Sequence, residues 1–312
     1  MFRIHGFEDF CLWMYVMIDD WYQQRQAGSK RPGPEPSSCS DSELLTMVLV
    51  GECSGWQQES ELFSHWKERG DLFPELPCLN RFNRRRRELV EDLQGLHQFM
   101  LRQMRWAEER LVILDSVPIA VVSYAHAAHA SSDWRVHQAS YGYSHTKRLP
   151  FYGYYLHLLM TVNGVLLDWS LTSASTSDVA AGEDLLCHTP ISLTQRLILA
   201  DKGYPSRALR RTIQRERQAY LLVLPKRGMR AAARLPVAIR RRFSSLRQRI
   251  ETVNSQLAQQ LGVEQTSAHS FEGFCARLRA KLTAHVCCVY ANWCLGVPVD
   301  DALQIKHLVF AG

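Results

Sequence analysis

Leu111-Val-Ile-Leu-Asp115-Ser-Val-Pro118 decides how this chain is read. Four apolar residues in a row, short and rich in β-formers, make a buried strand over Leu111–Ser116, and an acid closes the apolar run. The pattern returns at Leu197-Ile-Leu-Ala-Asp201-Lys-Gly-Tyr204, again a buried strand that stops at an aspartate. A third acid, Glu251, sits inside a helical stretch, Phe243-Ser-Ser-Leu-Arg-Gln-Arg-Ile-Glu251-Thr-Val-Asn-Ser-Gln-Leu257, and is the only acid between Glu216 and Glu264. Carboxylates at two strand ends and on one helix can converge on a point. Together they would repel one another unless a divalent cation neutralised them.

The segments between these acids alternate. Phe151–Met160 and Gly164–Leu171 form a hairpin about the Asn163-Gly164 turn, and Thr176–His188 is a helix capped by Ser177 or Asp178. After the strand at Leu197–Ala200 come a basic helix over Ser206–Gln218, a strand over Ala219–Leu224 and a long helix over Arg241–Leu261 that Gly262 ends. The apolar tail Phe271–Trp293 is a helix expected to pack on the sheet. The region before residue 108 reads as helical, apart from a loop over Arg31–Ser38, with Ser40-Asp-Ser-Glu43 as a helix start.

Composition narrows the class. With 312 residues, 46% of them hydrophobic and 22% charged, the chain can bury a substantial core. Its longest early apolar run, Phe10–Ile18, falls short of a membrane span, so a cytosolic protein is expected, associated with the nucleoid when bound to DNA. Nine irregularly spaced cysteines without a Cys-x-x-Cys pair predict reduced thiols. Residues 202–249 hold 15 Lys or Arg against one acid, Glu216, a charge of +14 within a chain whose total is only +6. Such asymmetry suits a surface facing phosphates, although a solvated basic face is its plainer explanation.

Two other stretches carry alternatives. Arg81-Phe-Asn-Arg-Arg-Arg-Arg87 is either a soluble surface helix or part of a helix-turn-helix in which Asn80, Asn83 and the arginines approach DNA. His126-Ala-Ala-His129, with His137 and His145, has some look of a zinc site but no Cys or Glu at metal spacing, and a flexible DNA-contacting loop fits it better. Trp134 within it is a base-stacking residue or a buried anchor. Asp168 and Asp178 are competing carboxylates, the second placed as a cap.

The strand and helix order, with acids at the first strand, the fourth strand and the last helix, resembles the ribonuclease H-like fold. Asp115-Ser-x-Pro118, Tyr152-Gly-Tyr-Tyr-Leu-His-Leu158, Leu171-Thr172 with Asp178 following, Asp201-Lys-Gly-Tyr204 and the arginine-then-glutamate helix together resemble bacterial insertion-sequence transposases of the DDE class. The resemblance covers roughly residues 36–290. It implies a helical DNA-binding region over 1–107, a catalytic domain over 108–295 and a tail over 296–312. It implies cleavage at terminal inverted repeats and joining of the 3′ hydroxyl ends to target DNA, by a homodimer on DNA. A metal-dependent endonuclease without strand transfer and a decayed DNA-binding relative are the rival readings.

The same resemblance implies Asp115, Asp201 and Glu251 as ligands of two Mg2+ ions, with Mn2+ as substitute and Asp115 bridging the pair. The DNA-contacting residues it and the charge pattern suggest are Arg81, Arg84, Arg85, Arg86, Arg87, Lys202, Arg240, Arg241, Arg242, Arg247 and Arg249. The last helix departs from many relatives, carrying Ser244 where they have Tyr and Ala258 where they have Lys.

Overall fold

In the computed structural model the described residues are 4–26, 39–56, 58–105, 109–144, 147–201, 203–223, 250–264 and 268–297. The chain divides into two compact units: residues 1–104, 257–263 and 267–312 form one, and 105–256 with 264–266 form the other.

The second unit is built on a mixed six-stranded sheet. Its strands are β1 (Leu111–Val122), β2 (Ser140–Ser144), β3 (Leu149–Thr161), β4 (Leu166–Ser173), β5 (Leu197–Ala200) and β6 (Tyr220–Val223). The order is β2-β3-β1-β5-β6, with β4 also paired to β3. β1 is antiparallel to β3 and parallel to β5, and β5 is parallel to β6. Parallel neighbours require crossovers, and α8 (Arg207–Arg217) supplies the one from β5 to β6. Leu209 and Ile213 are its buried face; Arg207, Arg210, Arg211 and Arg215 are exposed, while Arg217 bonds the carbonyls of Cys187, Thr189 and Ile191. α7 (Asp178–His188) follows β4, and its N-cap is Ser177, whose hydroxyl accepts from the Ala180 amide. The β3–β4 turn closes where expected, with Gly164 at φ 83°.

β1 runs six residues past its expected end. Its pairing with β5 stops at Leu114, but β3 continues beside it through Pro118 to Val122. With β3 alone as neighbour there, the missing Pro118 amide removes no bond to β5. The connection expected as a flexible loop is ordered structure: a 3-10 segment Tyr124–His129, α6 (Ser132–Val136) and the edge strand β2. Its anchor is Trp134, 3% exposed and packed near Tyr154, so this indole is not available to stack on a base.

The first unit is helical: α1 (Phe7–Gln26), α2 (Asp41–Cys53), α3 (Glu59–Glu68), α4 (Leu79–Glu88) and α5 (Val90–Met104). Ser40 and Glu43 form the capping box of α2. Residues 250–255 form α9, which passes into a π turn over Gln256–Gln260. α10 (Phe271–Cys294) packs on α2 and α5 in this unit, where the sequence suggested the sheet. Its long buried face is mostly apolar, and Arg277 and Lys281 within it reach Glu52 of α2 at 3.1 and 2.9 Å. Nine cysteines are free thiols. No helix among the described residues is long and apolar enough to cross a membrane.

Candidate active site

Parallel pairing of β1 with β5 ends at Leu114 opposite Ala200, and the next residue on each strand is an acid. Asp115, inside β1, and Asp201, just past β5, therefore stand where the parallel pairing of the two strands ends, the edge where open α/β sheets place their ligands. Asp115 is half-buried and Asp201 exposed. Glu251 lies on α9 with an exposed side chain. One turn further along that helix, Asn254 donates its side-chain amide to Asp115 Oδ2 at 2.8 Å. The contact ties the helix carrying Glu251 to the strand carrying Asp115.

Beneath the acids lies a buried polar chain. Tyr204 closes the Asp201 turn, its amide donating to the Asp201 carbonyl at 3.2 Å, and its ring is 1% exposed. Its hydroxyl lies 2.9 Å from His157 Nδ1. His157 Nε2 in turn lies 3.0 Å from Thr172 Oγ1. One chain of polar groups thus joins β3, β4 and the turn after β5. Burial pulls the His157 pKa down to about 4, so the ring is neutral at ordinary pH, with one N–H to donate and one lone pair to accept. Burial first, then the charges of Asp178, Asp115 and Asp201, push the Tyr204 hydroxyl far up, so it stays protonated.

Asp178 is closer to this site than a cap would be. As the first residue of α7 it lies against the Asp201 turn: a Cβ on Gly203 would come 2.1 Å from Asp178 Oδ2. Gly182 likewise leaves room for the Tyr204 ring, 2.8 Å from where its Cβ would be. Asp168 is buried on β4 and accepts from the Trp169 amide at 2.9 Å, a bond within its own strand.

The arginine block divides. Arg81 is exposed, and Arg84, 66% exposed at its side chain, has only a loose ion pair with Glu88 at 3.8 Å. Arg87 is 3.8 Å from Glu272. Arg85 and Arg86 turn inward, against the expectation that they face DNA. Arg85 bonds Asp41 at 2.6 Å and the Cys39 carbonyl at 2.7 Å; Arg86, 1% exposed, is paired with Glu59. The side-chain oxygen of Asn83 is also buried. Lys202, Arg240, Arg241, Arg242, Arg247 and Arg249 fall outside the described residues, as does Ser244; Ala258 lies in the π turn.

Of the histidines considered as metal ligands, His145 falls outside the described residues. His126 bonds Ser123 and His137 bonds the Asp133 carbonyl. Among the described residues no three His, Cys, Asp or Glu side chains are drawn together as a metal cage. Asp115, Asp201 and Glu251 are thus not drawn together as three; in donor type, their carboxylates are the hard oxygens that magnesium or manganese takes.

A mixed sheet with helices around it, β1 central and acids where its parallel pairing with β5 ends, defines a ribonuclease H-like α/β protein. Residues 106–287 match the family described as the transposase DDE domain, more than half of the chain, and the protein belongs to that family. Its function is accordingly of the transposase type. No curated protein and no solved structure matches it.

In the sequence Asp115 and Asp201 stand out because each ends an apolar run, and Glu251 because it is the only acid between Glu216 and Glu264. Asn254 does not, being a polar residue in a helix with nothing local to mark it. The spacing of three from Glu251 was the available signal, since it puts both on one helix face.

Proposed function

We propose that the protein cuts DNA at the terminal inverted repeats of its element and joins the freed 3′ hydroxyl ends to target DNA. Asp115, Asp201 and Glu251 are the ligands of two divalent ions in this reading, magnesium or its substitute manganese. Bound there, such ions supply Lewis acidity to the attacking and leaving oxygens of an in-line displacement. The observation that carries the proposal is the placement of Asp115 and Asp201 one step past Leu114 and Ala200 on adjacent parallel strands, with α9 tied to Asp115 through Asn254.

The chain's own part is to hold charge and position. Water attacks the phosphodiester at the element's end and the leaving group is the 3′ oxygen. That hydroxyl then attacks a target phosphodiester in the same site, displacing a second 3′ oxygen. Neutral His157 and protonated Tyr204 fix the floor of the site without adding charge to it. Arg81, Arg84 and Arg87 on the helical part hold flanking phosphates, as do the basic residues of 202–249. Two ends must meet, so the working form is a homodimer on DNA.

The test is a cleavage and joining assay on DNA carrying the gene's own flanking repeats, with target plasmid, with and without magnesium. Metal-dependent nicks at the repeat ends and joined products, lost in Asp201→Asn, are expected. Nicks without joined products would make the protein an endonuclease only. Binding without nicks, in manganese as well, would make it a DNA-binding relic.

A further inference from the structure

Asn254 donates its side-chain amide to Asp115, 2.8 Å from Nδ2 to Oδ2. The orientation of its amide follows from chemistry. An ionised carboxylate only accepts, so the amide must present its NH2 group, and its carbonyl oxygen faces the other way. That oxygen, Oδ1, is buried and has no hydrogen-bond partner among the described residues. A buried acceptor left empty costs free energy, and native proteins keep few of them without a use. Its surroundings are equally particular. Glu251 lies three residues earlier on the same helix face, and two residues later the helix widens into the Gln256–Gln260 π turn. Single π turns of this kind recur beside functional sites.

We infer that Asn254 is a positioning residue of the acidic site: its N–H holds the Asp115 carboxylate in the orientation in which that group would meet a divalent cation. The inference rests on Asp115 being a metal ligand. Holding and ligation are compatible, because each carboxylate oxygen has two lone pairs and can accept from the amide while facing a cation. Polar partners that orient a ligand in this way are worth about 10–100-fold in metal affinity.

The experiment is Mn2+ binding to the full chain without DNA, by calorimetry, in wild type, Asp115→Asn, Asn254→Ala and Asn254→Leu. Thermal melting is followed in parallel. The leucine variant fills the volume that alanine empties, so one of the two keeps the helix packed. The expected result is Mn2+ affinity weakened about 10–100-fold in both Asn254 variants, with the leucine variant melting close to wild type. A lower melting temperature with unchanged Mn2+ affinity would reduce Asn254 to a tether and overturn the inference alone. Unchanged Mn2+ affinity in Asp115→Asn would remove the metal site itself, and the inference with it.

Discussion

Tyr204 and His157 meet 2.9 Å apart, hydroxyl to Nδ1, in a place where both are almost fully buried. The two come from the turn after β5 and from the middle of β3, and β1 lies between their strands. Their bond reaches past β1. Tyr204→Phe keeps the ring that packs beside Gly182 and removes only the hydroxyl. His157 Nδ1 is then left short of a partner inside the protein, so the fold should lose about 1–3 kcal/mol. Denaturant unfolding of wild type and variant measures it. A loss near zero would show that water replaces the hydroxyl.

Acid should weaken the fold through two histidines. Burial holds His157 and His285 at about 4, against 6.5 for a free imidazole, with His97 adding to the effect on His285. Between those values the unfolded chain binds protons that the folded chain refuses, so stability rises with pH across that window. It is fully present above pH 6.5 and falls as the pH drops towards 4, by up to roughly 3 kcal/mol for each ring. Melting temperatures taken from pH 7 down to 4 should show the decline, and His157→Asn should flatten part of it.

What the sequence revealed, and what it hid, follows from where each signal resides. Leu197–Ala200 was readable to the residue because four apolar residues between polar ones leave no other choice. Ser40 and Glu43 were readable because a capping box is local. β2 was not: Ser140-Tyr-Gly-Tyr-Ser has no apolar run, and its strand character comes from pairing with Leu149–Gly153. Arg86 had no local mark either. Its neighbours in sequence are exposed or half-buried, and only Glu59, 27 residues away, makes its burial tolerable. In the site Asp115 and Asp201 stood out as the ends of apolar runs, and Glu251 as a lone acid in a basic helical stretch. Asn254, Tyr204 and Asp178 depend on approaches between distant segments, which no local pattern announces.

Gly203 supplies a test of how Asp178 serves the site. Its Cα lies so near Asp178 Oδ2 that a methyl group there would stand 2.1 Å from the oxygen. Either the carboxylate or the Asp201 turn must move in Gly203→Ala. Since the obstacle is one side chain, Gly203→Ala combined with Asp178→Ala should be more stable than the sum of the two single changes predicts. A coupling of about 0.5–3 kcal/mol is the range for residues in contact. Additive effects in a double-mutant cycle would mean that backbone, not Asp178, fills the space.

Neighbouring arginines of α4 should separate cleanly by role. Arg86 is 1% exposed, and burial pulls its guanidinium pKa down while Glu59 opposes the shift. Arg86→Met strands the Glu59 carboxylate; since that group is about a third exposed at 36%, water recovers part of it, and a cost of about 3 kcal/mol is expected. Arg84 is the opposite case, exposed and loosely paired with Glu88 at 3.8 Å, so Arg84→Ala should change stability by less than about 0.5 kcal/mol. If the exposed side of α4 holds DNA, Arg84→Ala should weaken end binding and lower the slope of log affinity against log salt by about one. Arg86→Met, measured below its melting temperature, should leave that slope unchanged. Salt titrations of binding to repeat-end DNA with both variants decide the matter. Equal slopes in Arg84→Ala and wild type would move the DNA contact away from this helix.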